Sequence, residues 1–211
     1  MKVFALLVAV LALNVNLALA MSFGDWKEQR FSLFSSNEWL QSQGRVLVTS
    51  DDAVSLLWTP AGSTSRDATN AFWTWSVDRS VPATKLDQKG GDDRNLSLYF
   101  VFMPQEVADA NRGAGIRKLL GVKEARVLMY VWGGDYGRGQ VLSSPYLGPR
   151  GRTIVQRSAG IGQHSEAVDL AADYLRAFGE QRTQLVGLAI SSDSDDTNSS
   201  IRARLESLKL E

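Results

Sequence analysis

The sequence predicts a mainly β fold: an antiparallel β-sandwich of jelly-roll-like form with one short helix in its C-terminal half. Three observations carry this. Short segments of alternating apolar residues recur along the chain, bounded by clusters of Gly, Pro, Asp, Asn and Ser. One good helix stands out, Ser165–Phe178, with its stripe of Val168, Ala171, Ala172 and Leu175. Strands and helices do not alternate, which argues against a parallel βαβ sheet.

The elements follow in order. Met1–Ala20 has one basic residue, Lys2, then the apolar run Val3–Leu13, and ends in Ala18-Leu19-Ala20. A basic start, a short apolar core and a small-x-small end form a cleavable export signal. A membrane anchor is the alternative, but Asn14 and Asn16 interrupt the run, which is short of the ~20 apolar residues of a span. Cleavage after Ala20 leaves 191 residues (211 less 20), read as one domain over 21–211. Ser22–Ser42 leaves two readings open: a strand at Phe31, Leu33 and Phe34, or a helical turn through Trp39 and Leu40 capped at Ser36-Asn37-Glu38. Arg45–Thr49 and Val54–Thr59 both alternate, and Ser50-Asp51-Asp52 between them reads as the turn of a β-hairpin. Pro60–Asn70 is a polar loop, and Ala71–Val77 is an aromatic strand with Trp73 and Trp75 on one face.

Lys89–Met103 is the segment around which the rest is organised. A glycine–aspartate turn leads into a strand with Leu96, Leu98, Phe100 and Phe102 on one face and Ser97, Tyr99, Val101 and Met103 on the other. Apolar character on both faces predicts a central strand covered on both sides. Gln105–Glu124 is an excursion whose Ile116, Leu119 and Leu120 allow a short helix. Arg126–Trp132 is a second two-sided strand, running into the glycine-rich loop Gly133–Gly137. Thr153–Ser158 and Leu185–Ser192 are further strands, and Gly179 stops the helix. Ile201–Leu210 fits both periods and is read as a strand.

Composition excludes several classes. The formal charge is zero, or about −1 without Lys2, so no basic field points to nucleic acid. With no cysteine, disulfides, thiol catalysis and Cys metal sites are absent. His164 is the one histidine, read as a helix-start residue, with no activating partner pattern around it. The glycine strings Gly113–Gly115 and Gly133–Gly139 lack a P-loop Lys-Ser/Thr and a Rossmann helix.

Two groups of candidates remain. Asp193, Asp195 and Asp196 make an Asp-x-Asp-Asp run, and Asp92 and Asp93 end the other acidic turn. Carboxylates spaced this way in loops can ligate a hard cation such as Ca2+, although a self-capping turn accounts for the same residues. The two turns share a site only if their strands end at the same rim. Trp132, Asp135, Tyr136 and Tyr146 lie on or beside glycine-rich turns. Rings beside a carboxylate suit a glycan, whose apolar faces stack while its hydroxyls bond to the acid; core packing is the alternative for Trp132.

FWTWSVD at 72–78, KGGDDRNLSLYFVF at 89–102, and then LMYVWGG, SSPY, DYLRAFG and LVGLAISSDSDDT resemble, in order and spacing, a bacterial family labelled domain of unknown function 3047. The resemblance implies an exported jelly-roll or sandwich domain and assigns no reaction. The family's acidic turn is commonly of the form TDTDNT; here it reads Ser192-Asp193-Ser194-Asp195-Asp196-Thr197. The segment Gln105–Glu124 is longer than the family pattern. The expectation is therefore an exported monomer, periplasmic or secreted, that binds a glycan or envelope component without catalysis. An Asp-dependent carbohydrate-active enzyme and a purely structural envelope protein are the competing readings.

Overall fold

The computed structural model describes residues 19–211. The expected export signal, Met1–Ala20, therefore lies outside the described residues except at its end. The elements are β1 (Leu19–Ala20), β2 (Lys27–Arg30), β3 (Glu38–Gln41), β4 (Arg45–Asp51), β5 (Val54–Pro60), β6 (Asn70–Arg79), β7 (Arg94–Met103), α1 (Gln105–Ala110), α2 (Ile116–Gly121), β8 (Arg126–Trp132), β9 (Val141–Ser144), β10 (Gly148–Arg157), β11 (Gly162–Asp169), α3 (Leu170–Phe178), β12 (Gln184–Asp193) and β13 (Ser200–Leu210). They form a β-sandwich. One sheet has the order β11-β6-β13-β4-β3, with β1 added against β13; the other has the order β2-β5-β12-β7-β8-β10-β9. Pairing is antiparallel except between β8 and β10, which run parallel. No helix among the described residues is long and apolar enough to cross a membrane.

Strand β7 is the middle strand of the seven-stranded sheet, as its two-sided pattern predicts. Leu96, Leu98, Phe100 and Phe102 enter the core between the sheets, with Trp73 and Trp75 of β6 and Tyr130 and Trp132 of β8. Trp73 packs on Tyr130 at 5.6 Å and Trp75 on Trp132 at 5.6 Å between ring centroids, within the range of favourable aromatic pairs. Tyr99, Val101 and Met103 point the other way, into a second cluster with Val127, Met129 and Val131. Ile116 and Leu119 of α2, with Leu86 from the loop before β7, cover that cluster. The Gln105–Glu124 excursion is thus a lid of apolar side chains over the outer face of the sheet. Burying each such side chain contributes about 1.5–3 kcal/mol.

Several local expectations change. Strands β4 and β5 do not form a hairpin: β4 pairs with β3 and β13, and β5 with β2 and β12, in opposite sheets. Ser50-Asp51-Asp52 is a corner between layers. Ala53 N–H donates to Ser194 Oγ and Ser194 N–H to Ala53 O, so the corner is hooked onto the turn after β12. Helix α3 begins at Leu170, not Ser165. Glu166 and Val168 point inward as strand residues of β11, and Asp169 then caps the helix by accepting from Ala172 N–H at 2.8 Å. His164 is accordingly a strand residue opposite Trp75 rather than a helix start. Two more short helices, α1 and α2, join the one expected. Trp39 and Leu40 lie in β3, and Phe31, Leu33 and Phe34 are exposed outside any strand. The mixed period of Ile201–Leu210 has a physical cause. A bulge between Glu206 and Lys209, with Ser207 at φ 57°, shifts the inward face from Leu205 to Leu208.

Candidate functional site

Strand directions decide which loops meet. Asp193, the last residue of β12, pairs with Arg94, the first of β7. Strand β8 runs antiparallel to β7 and ends at Trp132 beside Leu96; β10 runs parallel to β8 and brings Arg157 to Trp132. One end of the sheet therefore collects the 92–93 turn, the 193–197 turn, the 133–139 loop and the 158–161 turn. Gly133 is held close to this assembly: a Cβ there would lie 2.7 Å from Arg94 Cβ, so only glycine fits.

The two acidic turns meet. The Asp93 carboxylate accepts from Thr197 N–H at 2.8 Å, from Asp196 N–H at 3.3 Å and from the Thr197 hydroxyl. One carboxylate oxygen from each of Asp93, Asp193 and Asp195 lies within 4.8 Å of the other two. Arg94 closes the opposite side, donating from Nη1 to Asp92 Oδ2 at 2.9 Å and to Asp193 Oδ2 at 3.0 Å, and from Nη2 to Tyr99 Oη at 3.0 Å. Tyr146 donates its hydroxyl to the other Asp92 oxygen at 3.0 Å. Beside these groups an opening of about 270 Å³ is lined by Phe31, Arg94, Tyr146, Asp193, Asp195 and Asp196. A smaller cavity of about 100 Å³ runs inward from Arg94 and Tyr146 to Tyr99.

Asp193 is the unusual member. It is 7% exposed, and its Oδ1 is buried with no hydrogen-bond partner. Burial pushes its carboxyl up to about 8; Arg94 pulls the other way, and Asp195 and Asp93 add to the rise. Burial works against the charge on Arg94, but Tyr99, Asp193 and Asp92 around it raise its pKa. Partial burial and the neighbouring Asp92 take Tyr146 up to about 12, so it stays a hydrogen-bond donor. Asp196 is raised too, by burial and then by Asp93, Asp195 and Asp92. An acid kept neutral near pH 7 beside further carboxylates has two chemical uses: it gives up a proton, or it exchanges that proton for a cation.

The residues singled out in the sequence divide. Asp93, Asp193 and Asp195 converge; Asp92 turns aside to Arg94 and Tyr146; Asp196 sits at the edge of the opening. Tyr146 joins this acidic rim and is 62% exposed. Trp132 does not present a stacking surface: it is 1% exposed, because it shares the inner face of β8 with Leu128 and Tyr130. Asp135 forms an exposed pair with Lys85, and Tyr136 donates to Asp87, both away from the acidic cluster. Arg94 adjoins the 92–93 turn in sequence, but its reach across to Asp193 is visible only in the fold. Tyr99 and Ser191, which hold its far end, gave no signal beyond strand alternation. Glu166, a buried carboxylate on β11, was missed altogether.

Residues 24–209 match the family model described as protein of unknown function (DUF3047). No curated protein matches the chain. Among solved structures, the chain is similar to the xyloglucanase domain of NopAA, a type three effector from Sinorhizobium fredii, in complex with cellobiose, at TM-score 0.48 and 9% identity, over 88% of this chain and 92% of that one. It is also similar to a cellulase derived from Cel12A of Rhodothermus marinus, at TM-score 0.43 and 13% identity over 92% and 99%. A third is CBM29_1, a family 29 carbohydrate binding module from Piromyces equi, at TM-score 0.33 and 9% identity over 92% and 89%. At these scores the likeness carries no inference about chemistry.

Proposed function

The chain belongs to the DUF3047 family, and from the rim geometry we propose that it is a non-catalytic binding domain, taking a hard divalent cation of the Ca2+ class and, over it, a hydroxyl-rich ligand of glycan type. One observation carries the reading: Asp193 Oδ1 is buried with no donor, on a side chain grouped with Asp93 and Asp195. Buried acceptors are almost always satisfied, and an oxygen left without a donor is costly. While Asp193 is neutral its own proton serves that oxygen, with Asp195 beside it to accept; once the proton leaves, a cation would satisfy it. Asp93, Asp193 and Asp195 supply the oxygens a hard cation prefers, and ligand hydroxyls or water would complete its shell. Arg94 holds Asp193 Oδ2 from the other side, which leaves Oδ1 for the ion. The exposed ring of Tyr146 offers an apolar wall for a sugar face. The domain is read as a monomer acting after export, in the periplasm or outside the cell, on a glycan or envelope component. Removal of residues 1–20 would take away β1, but Met21 N–H would still donate to Leu208 O.

Thermal melting in saturating Ca2+ and in chelator tests the cation, because a ligand that binds the native state must raise its stability. The expected result is a higher Tm with Ca2+, abolished in Asp195→Asn. An unchanged Tm removes the cation. Glycan binding that depends on Ca2+ and on Tyr146 supports the rest; binding indifferent to both moves the ligand elsewhere. Since Asp193 must lose its proton to coordinate, cation affinity should climb with pH up to about 8 and then level off.

The raised Asp193 also supports a second reading, with Asp193 as the general acid of a carbohydrate-cleaving enzyme. Release of product from a glycan, lost in Asp193→Asn, would decide for it.

A further inference from the structure

The other half of the same rim is basic, and it has its own opening. A groove of about 350 Å³ lies between the 133–139 loop and the 158–161 turn, with Arg138, Gln156, Arg157 and His164 on its walls and Trp132 behind it. Beneath it sits Glu166, whose side chain is fully buried. The Glu166 carboxylate accepts four hydrogen bonds: from Trp75 Nε1 at 3.1 Å, Arg157 Nε at 2.8 Å, Arg157 Nη2 at 3.3 Å and Arg138 Nη2 at 2.9 Å.

We propose that this groove binds the oxyanion of an acidic ligand, a carboxylate, sulfate or phosphate carried on a group of about one sugar ring. Two guanidiniums and one carboxylate leave a net positive charge at the groove. Glu166 occupies the Nε and Nη2 of Arg157 and a single nitrogen of Arg138, and among the described residues neither arginine has another partner. Arg157 Nη1 and the Nε and Nη1 of Arg138 therefore keep donors for a ligand. Guanidinium forks suit carboxylate and phosphate oxygens. The fold does not require this arrangement. The buried Trp75 N–H needs an acceptor, which a neutral glutamine would provide; a charged carboxylate gripping two arginines goes further and fixes their orientation. A volume of about 350 Å³ lies at the lower end of small-molecule pockets. His164 packs on Trp132 at 5.0 Å between ring centroids, so its imidazole is held at the wall rather than free to turn. The position is separate from the acidic cluster, where carboxylates would repel an anion.

Calorimetric titration of the whole protein with glucuronate, inorganic phosphate and sulfate, against glucose at matched ionic strength, tests this. Saturable binding of one or more oxyanions, with none of glucose, is expected, and the arm that responds names the ligand's source. Arg138→Ala should weaken that binding at least tenfold while the protein still melts cooperatively, since Trp75 and Arg157 continue to hold Glu166. Asp195→Asn should leave oxyanion binding unchanged, whatever becomes of the cation site. No saturable binding of any oxyanion, or equal affinity in Arg138→Ala, overturns the proposal. So does loss of binding in Asp195→Asn alone, which would place the anion on a cation at the acidic rim.

Discussion

Glu166 and Asp193 are both buried carboxylates at one end of the sandwich, and their surroundings differ in kind. Glu166 has four donors, three of them from guanidiniums. Asp193 shares one guanidinium with Asp92, has other acids beside it, and leaves one oxygen without a partner. A satisfied buried acid holds its neighbours in place. An unsatisfied one holds a proton until something better arrives, which is why the second reads as a site and the first as a support for one.

The largest effect should come from breaking the satisfied acid. Glu166→Ala leaves the Trp75 N–H unpaired and two arginines facing each other, and should cost about 3 kcal/mol in urea unfolding. Asp193→Asn should cost nothing at pH 7 or raise stability, because an amide has no proton to take up on folding. Equal losses would erase the distinction. Next comes Arg94→Ala, which strips the cation from Asp92 and Asp193 and the donor from Tyr99; about 2 kcal/mol is expected, with saturating Ca2+ restoring part of it.

The acidity of Asp193 gives a third test, with a definite sign. Its folded pKa of about 8 lies above its ordinary value of 3.8, so the folded state binds the extra proton. That contribution is fully present below about pH 4 and is lost as pH rises toward about 8, at no more than about 1.4 kcal/mol per pH unit. Chemical unfolding across this window without metal should show the decline, and Asp193→Asn should flatten it. A decline that persists in the variant assigns the proton elsewhere. The smallest effect belongs to Asp135→Ala. Its pair with Lys85 is exposed on both sides, and the change in stability should stay within about 0.5 kcal/mol.

Much of the fold was legible because alternation is local. Strand β7 showed its two buried faces in Leu96–Met103, and β12 and β13 were placed within a residue or two. Expectation failed where distant partners intervened. Strands β4 and β5 have the alternation of a hairpin, yet Ser194, far along the chain, ties the corner between them and sends each to a different sheet. Val168 fits a helical stripe and a strand equally well; pairing of β11 with β6 chose the strand. Trp132, beside the glycines, allowed both a ligand-facing and a core reading, and the inner face of β8 claimed it.

The sequence by itself determined which residues shun water and which turns carry acid, since side-chain chemistry and a period of two need no partner. Only the tertiary structure decided that Asp93, Asp193 and Asp195 face one another, and that Glu166 grips Arg138 and Arg157. Asp93 stands 100 residues before Asp193, and Arg138 stands 28 before Glu166. They meet because strand order and direction, fixed by burial across the whole sandwich, bring four chain reversals to one edge.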